Sequence, residues 1–246
     1  MMKLPMGDVH SDYHGMKDTI AIKREEEVTI WPWADRAIFP WPKPVVWIKS
    51  PVTGKKRWPG DLWGVDSQGQ LVIVESKLGN STNPFEDFLS YRPRRGETEA
   101  DDLLARWEKE YASECQEKCP PKERKQCWEE RAPGQTLGIL PRSRKRKYLW
   151  KWKSLAKMIE KYIGSEDYPR TVRRYLEARK MAGNPFPHFC GLIAGLAPEL
   201  SPTGSKAATK LIDRHGKDKV HLFEATATVT EDGRYVVLKI KKLPLP

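Results

Sequence analysis

Gly60 to Lys77 reads GDLWGVDSQGQLVIVESK, and it decides the fold because two apolar strands run through it with a small charged set at one end. Asp61-Leu62-Trp63-Gly64-Val65 and Leu71-Val72-Ile73-Val74 have the β-branched and aromatic content of strands, and Asp66-Ser67-Gln68-Gly69 supplies the turn between them. A loop of Ser67-Gln68-Gly69, with Gly69 in the left-handed conformation of a G1 bulge, pairs Asp66 with Gln70 and sets Asp61 opposite Glu75. Side chains alternate along a strand, so Lys77 shares the face of Glu75 while Ser76 points away.

Two carboxylates and an ammonium at the end of apolar strands cost stability unless they hold one another or a cation. Asp61 and Glu75 suit a hard divalent cation, Mg²⁺ or Mn²⁺, which keeps several waters and bridges to a substrate phosphate. Such a cation lowers the pKa of a bound water and polarises a phosphoryl oxygen, and Lys77 could orient the water or offset charge in the transition state. The chemistry expected is phosphodiester hydrolysis. The plainer reading of the same three residues is an ion pair at a sheet edge.

Asp61, Glu75, Ser76 and Lys77 resemble the PD-(D/E)XK nuclease superfamily, in which an aspartate on one strand is followed, after a hairpin turn, by Glu-x-Lys on the next. Gly60 stands where the name-giving proline would be. The resemblance implies an α/β, restriction-endonuclease-like fold, with a mixed central sheet flanked by helices. It implies that Asp61 and Glu75 ligate the metal, that the Ser76 carbonyl completes the set and that Lys77 positions the nucleophilic water. It also implies a further glutamate on the helix before the first strand, for which Glu25, Glu26 and Glu27 are the candidates. The function expected is a metal-dependent deoxyribonuclease, endonuclease-like. The alternatives are an RNA-processing nuclease with the same site and a nucleic-acid-binding protein whose site is unused.

The chain has 246 residues, enough for a proper core, and its 44 Lys and Arg against 33 Asp and Glu give a formal charge of +11. That balance favours a polyanionic partner, with DNA preferred. No apolar run reaches the length of a membrane span, and Met1-Met2-Lys3 leads into Asp8, His10 and Asp12, so a soluble, cytoplasmic protein is expected. Four cysteines do not make a disulfide scaffold. Cys115, Cys119, Cys127 and Cys190 match no standard zinc spacing, and Cys115 continues the apolar series Leu104, Trp107, Tyr111. No dimer interface is legible, although double-strand cutters often act as homodimers.

Along the chain, residues 1–92 read as the first half of a nuclease core, 93–186 as a basic helical insertion and 187–246 as the second half. Met16 to Val28 reads as a short helix, and Val45 to Lys49 as a first strand. Lys55, Lys56 and Arg57 lie close in sequence to Asp61, where a phosphate backbone would pass. Asn83 and Pro84 open a helix over PFEDFLSYR, and a helix from Glu99, capped by Thr98, carries Leu104, Trp107 and Tyr111. Pro141 to Ile163 holds nine Lys or Arg against one acid, Glu160. Arg144, Lys145, Arg146 and Lys147 form its arm, and Lys153 and Lys157 line a helix flank suited to binding phosphate. PRTVRRYLEARKMAG is a further helix, stopped by Gly183. His188 to Ala194, Val220 to Val229 and Arg234 to Lys241 are strands, and Ser205 to His215 is a helix closed by Gly216. His188, His215 and His221 are given no role.

Overall fold

The computed structural model describes residues 16–29, 32, 38–49, 60–79, 82–91, 98–118, 139–141, 143, 167–195 and 199–245. Lys55, Lys56, Arg57, Arg144, Lys145, Arg146, Lys147, Lys153 and Lys157 lie outside the described residues.

The Gly60–Lys77 stretch forms the expected hairpin. Strands β3 (Leu62–Asp66) and β4 (Leu71–Leu78) pair antiparallel with Leu62 opposite Val74 and Val65 opposite Leu71. Gly69 has φ +78°. Asp66 N donates to the Gln70 carbonyl and the Asp66 carbonyl accepts from Gly69 N, each at 2.9 Å, which is the bulged turn expected from the sequence. Strand β2 (Val45–Lys49) adds antiparallel to β3 on one side. On the other side β4 pairs in parallel with β6 (His188–Ala194), and β6 in parallel with β7 (Val220–Thr230).

A parallel pair needs a long crossover, and helices supply it: α3 (Asp167–Met181) before β6 and α4 (Pro202–His215) before β7. Strand β8 (Tyr235–Leu243) returns antiparallel to β7 after the turn at Gly233. Two short strands complete the sheet, β5 (Ile139–Pro141) antiparallel to β8 and β1 (Met16–Ile20) antiparallel to β7. Among the described residues the result is one mixed sheet of eight strands in an α/β protein, with the order β2-β3-β4-β6-β7-β8-β5 and β1 off that path against β7. Strand β4 is buried from Leu71 to Ser76, because a strand covered on both faces reads as a continuous apolar run.

Several local expectations are corrected. Met16 to Val28 is not one helix: Met16–Ile20 is the strand β1, and only Glu25–Thr29 is helical, α1. The β-branched Thr19 and Ile20 and the edge offered by a long β7 override the helical reading. After Asn83 the chain forms turns and a short 3₁₀ segment, Asp87–Ser90, rather than an α-helix, and the Asn83 carboxamide oxygen accepts from Phe85 N at 3.2 Å. Asparagine competing for nearby backbone groups favours that turn.

Helix α2 (Thr98–Lys118) packs on α3. Within the segment read as helical, β5 is a strand at the outer edge of β8. Helix α3, read as part of the insertion, packs on β2 and β3. There Tyr168 Oη donates to the Trp47 carbonyl at 2.8 Å and Trp107 Nε1 donates to Tyr168 Oη at 3.1 Å. Among the described residues no helix is long and apolar enough to cross a membrane.

Candidate active site

Gly60 has φ +82°, and a Cβ there would sit 2.7 Å from Ile73 Cγ2, so the chain enters β3 through a bend that only glycine makes without strain. Just after the bend, Asp61 N donates to the Val74 carbonyl at 2.7 Å. The Asp61 carboxylate then continues the ladder where the backbone of β3 stops. Its Oδ2 accepts from Ser76 N at 2.8 Å and from Ser76 Oγ at 2.6 Å. Asp61 therefore lies across the hairpin from Glu75, one step beyond the Leu62–Val74 pair.

Glu75 is 5% exposed, and Lys77 Nζ donates to its Oε1 as an ion pair on the same face of β4. Burial first, then the charge of Asp61 and a smaller push from Asp87, raise the Glu75 carboxyl to about 7 against the opposing bond and charge of Lys77. For Lys77, burial works to lower the ammonium, but the bond and charge of Glu75, with Glu25 and Asp61 behind it, raise it overall. Lys77 thus stays cationic while Glu75 is poised to change charge near neutrality.

Helix α1 reaches the same end of β4. Glu25 Oε1 accepts from Leu78 N at 3.3 Å, so of the three N-terminal glutamates Glu25 touches the end of the strand. Glu27 is buried, and the Glu26 side chain lies outside what is described. Thr29, in the last turn of α1, lies 2.5 Å from Ser76 Oγ. Ser76 does face away from Glu75 as alternation requires, yet its hydroxyl is tied to Asp61 across the hairpin.

These residues bring together two carboxylates and an ammonium. Asp61 Oδ1 and Glu75 Oε2 make no hydrogen bond among the described residues, whereas Asp61 Oδ2 and Glu75 Oε1 are occupied. One free oxygen on each of two mutually repelling carboxylates fits a divalent cation that takes one or two carboxylates and fills its remaining positions with water or phosphate. Among the described residues no group of three or more His, Cys, Asp or Glu is arranged to hold a metal ion.

Other buried polar groups leave no signal in sequence spacing. Arg179 is fully buried and donates to Glu99 at 2.5 Å, to the Gly69 carbonyl at 3.1 Å and to the Pro185 carbonyl at 3.0 Å, while Tyr91 Oη donates to Glu99 at 2.9 Å. This network ties α2 and α3 to the hairpin turn. His188 Nδ1 and His221 Nε2 are 2.9 Å apart, and Trp41 meets both rings edge-on at 5.0 and 5.1 Å. Burial depresses His188 to about 4 and His221 to about 3, with Lys219 and Lys242 adding to the effect. Nothing in the spacing of the chain brings Thr29, Glu99 or Arg179 to these partners. Asp87, which pushes Glu75 upward, is legible only as one polar residue of the segment that follows Asn83.

No family model matches the chain, and no curated protein or solved structure is significantly similar to it.

Proposed function

We propose that the protein is a metal-dependent nuclease that hydrolyses DNA phosphodiester bonds at Asp61, Glu75 and Lys77. The observation that carries this reading is the pair of carboxylate oxygens held by no protein donor, from neighbouring strands of one hairpin, beside a part-buried Lys77–Glu75 ion pair, with burial and the Asp61 charge raising Glu75 to about 7. Neither oxygen is a buried atom left without a partner, so both stay open to water or to a cation, and the two carboxylates bias each other toward a shared ligand. The arrangement of α1, the antiparallel β2-β3-β4 and the parallel β6 also agrees with the restriction-endonuclease-like core that the Asp61…Glu75-x-Lys77 resemblance implies.

In this reading Asp61 Oδ1 and Glu75 Oε2 bind Mg²⁺ or Mn²⁺, with the Ser76 carbonyl as a third donor. The cation, when bound, supplies charge neutralisation at the scissile phosphate and acidifies water. Lys77, held by Glu75, offers its remaining protons to the attacking water or to the phosphate oxygen that gains charge. Lys55, Lys56, Arg57 and the arm Arg144, Lys145, Arg146 and Lys147, followed by Lys153 and Lys157, would touch the phosphate backbone.

The test is incubation of the purified protein with circular and linear DNA and with RNA, each with Mg²⁺ and with EDTA. Cleavage of DNA that EDTA abolishes is the expected result. Cleavage of RNA alone would move the substrate to RNA, and binding without cleavage of either would leave a nucleic-acid-binding protein.

A further inference from the structure

Thr29 and Ser76 are buried, 4% and 1% exposed, on different elements. Their hydroxyls nevertheless form an unbroken chain to the candidate site. Thr29 Oγ1 is 2.5 Å from Ser76 Oγ, Ser76 Oγ is 2.6 Å from Asp61 Oδ2, and Thr29 Oγ1 also lies 2.9 Å from the Glu25 carbonyl.

Counting protons fixes the direction of the chain. An ionised carboxylate only accepts, so the single Ser76 hydroxyl proton points at Asp61 Oδ2. Ser76 Oγ is then left with lone pairs toward Thr29, whose single proton has two acceptors, Ser76 Oγ at 2.5 Å and the Glu25 carbonyl at 2.9 Å. With the Ser76 proton on Asp61, only the Thr29 proton is left to bridge the 2.5 Å between the two hydroxyl oxygens, and Thr29 shares it with the Glu25 carbonyl. The chain therefore runs from Thr29 to Ser76 to Asp61.

We infer that Thr29 is a positioning residue: through Ser76 it anchors the Asp61 carboxylate to helix α1, committing Oδ2 and presenting Oδ1 alone to a divalent cation. Two donors from Ser76, its N–H at 2.8 Å and its hydroxyl, lock the plane of the carboxylate, and Thr29 locks the hydroxyl. The seat of α1 on β4 thus sets the aim of a metal ligand at the start of β3. Groups that orient a metal ligand in this way contribute about 10–100-fold in metal affinity. The inference rests on the reading of Asp61 and Glu75 as cation ligands.

The experiment is calorimetric Mn²⁺ titration of the full-length protein as wild type, Thr29→Val, Thr29→Ser, Ser76→Ala and Asp61→Asn, with melting temperature recorded for each. Thr29→Val keeps the shape and removes the hydroxyl, and is expected to weaken Mn²⁺ binding about tenfold. Thr29→Ser restores the hydroxyl and should bind within about twofold of wild type, although it loses a methyl group and some stability. Affinity that follows the hydroxyl, whichever variant melts lower, is what a merely structural threonine would not give. Cleavage should show the same signature, with more Mn²⁺ needed for half-maximal rate and most of the rate recovered at saturation.

A folded Thr29→Val that binds Mn²⁺ like the wild type overturns the relay. Should Thr29→Val not fold, Ser76→Ala decides, since wild-type affinity in that variant overturns it equally. Absence of Mn²⁺ binding by the wild type, or unchanged binding by Asp61→Asn, overturns the cation site itself and the relay with it. These outcomes separate failure of the relay from failure of the site.

Discussion

One hairpin carries a carboxylate at its turn and two at its open end, and the two ends treat them in opposite ways. At the turn, Asp66 is 2% exposed and both its oxygens are used: Oδ1 accepts from Gln68 N and Gln70 N at 2.9 Å, and Oδ2 from Trp41 Nε1 at 3.1 Å. At the open end, Asp61 and Glu75 each keep an oxygen without a hydrogen bond among the described residues, and they repel each other. Burial does not separate Asp66 from Glu75, which is 5% exposed, although Asp61 is only half-buried. Satisfaction does. A buried acid with every oxygen directed at a donor holds structure together, and one with an oxygen left over is available for a ligand.

The largest effect expected from this contrast is on catalysis. Glu75→Gln or Asp61→Asn should reduce Mg²⁺-dependent cleavage by about 10³-fold or more, since each removes an interaction of several kcal/mol with the cation. Glu75→Gln should at the same time leave the metal-free protein as stable or more stable at pH 8, measured by urea denaturation. A Glu75→Gln variant that cleaves normally would erase the distinction between the two ends.

Asp66 should behave in reverse. Removing it strands two backbone donors and the Trp41 indole, so Asp66→Ala is expected to cost on the order of 2–4 kcal/mol while leaving turnover per folded molecule unchanged. Asp66→Asn retains an acceptor for the turn but presents an amide to Trp41 Nε1, and should cost about 1 kcal/mol. Denaturant midpoints and initial cleavage rates of the same preparations separate these effects.

Acid titration sharpens the comparison. Glu75 rises from 4.5 to about 7 on folding, so its contribution to stability is present below pH 4.5 and is lost as pH climbs through about 7. His188 and His221 fall from 6.5 to about 4 and about 3, so their contribution is present above pH 6.5 and is lost as pH drops toward those values. Between pH 4.5 and 6.5 the unfolded chain takes up two protons at the histidines and the folded chain keeps one at Glu75. The net slope is at most about 1.4 kcal/mol per pH unit, and solvent screening of the half-buried His188 makes it smaller. Glu75→Gln should therefore steepen the acid loss of stability in that range, and replacing His221 by Phe should flatten it. Urea unfolding at pH 4.5, 5.5 and 6.5 reads both.

The smallest effect concerns affinity. Neutralising Arg144, Lys145, Arg146 and Lys147 should flatten the salt dependence of duplex DNA binding by about 0.9 log units for each phosphate that the arm no longer neutralises, with turnover at saturating substrate retained. An unchanged slope in a KCl series would make this arm a solvated segment.

The hairpin is legible in the sequence because alternation and a three-residue bulged turn fix its register, and the register alone sets Asp61 opposite Glu75 and Lys77 beside it. The strands His188–Ala194 and Val220–Thr230 are legible for the same reason, as short apolar runs bounded by turn residues. What is not legible depends on distant pairing. Met16–Ile20 is a strand because β7 extends past β6 and offers an edge, a fact about residues some 200 positions away. Arg179, in a helix read as part of a basic insertion, is buried because Glu99, Gly69 and Pro185 converge on it. Thr29 is tied to Ser76 by no spacing rule, since 47 residues and a change of element separate them. Sequence pattern reports what a segment does with its neighbours in the chain, and the carboxylates of the hairpin are neighbours of that kind.

The most direct measurement of the proposed site is the position of bound Mn²⁺, from anomalous scattering by a crystal soaked in the ion at neutral pH. The expected result is a peak touching the carboxylates of both Asp61 and Glu75, absent from an Asp61→Asn crystal treated identically. A peak at Asp66 or between His188 and His221, with the Asp61–Glu75 end empty, would contradict it.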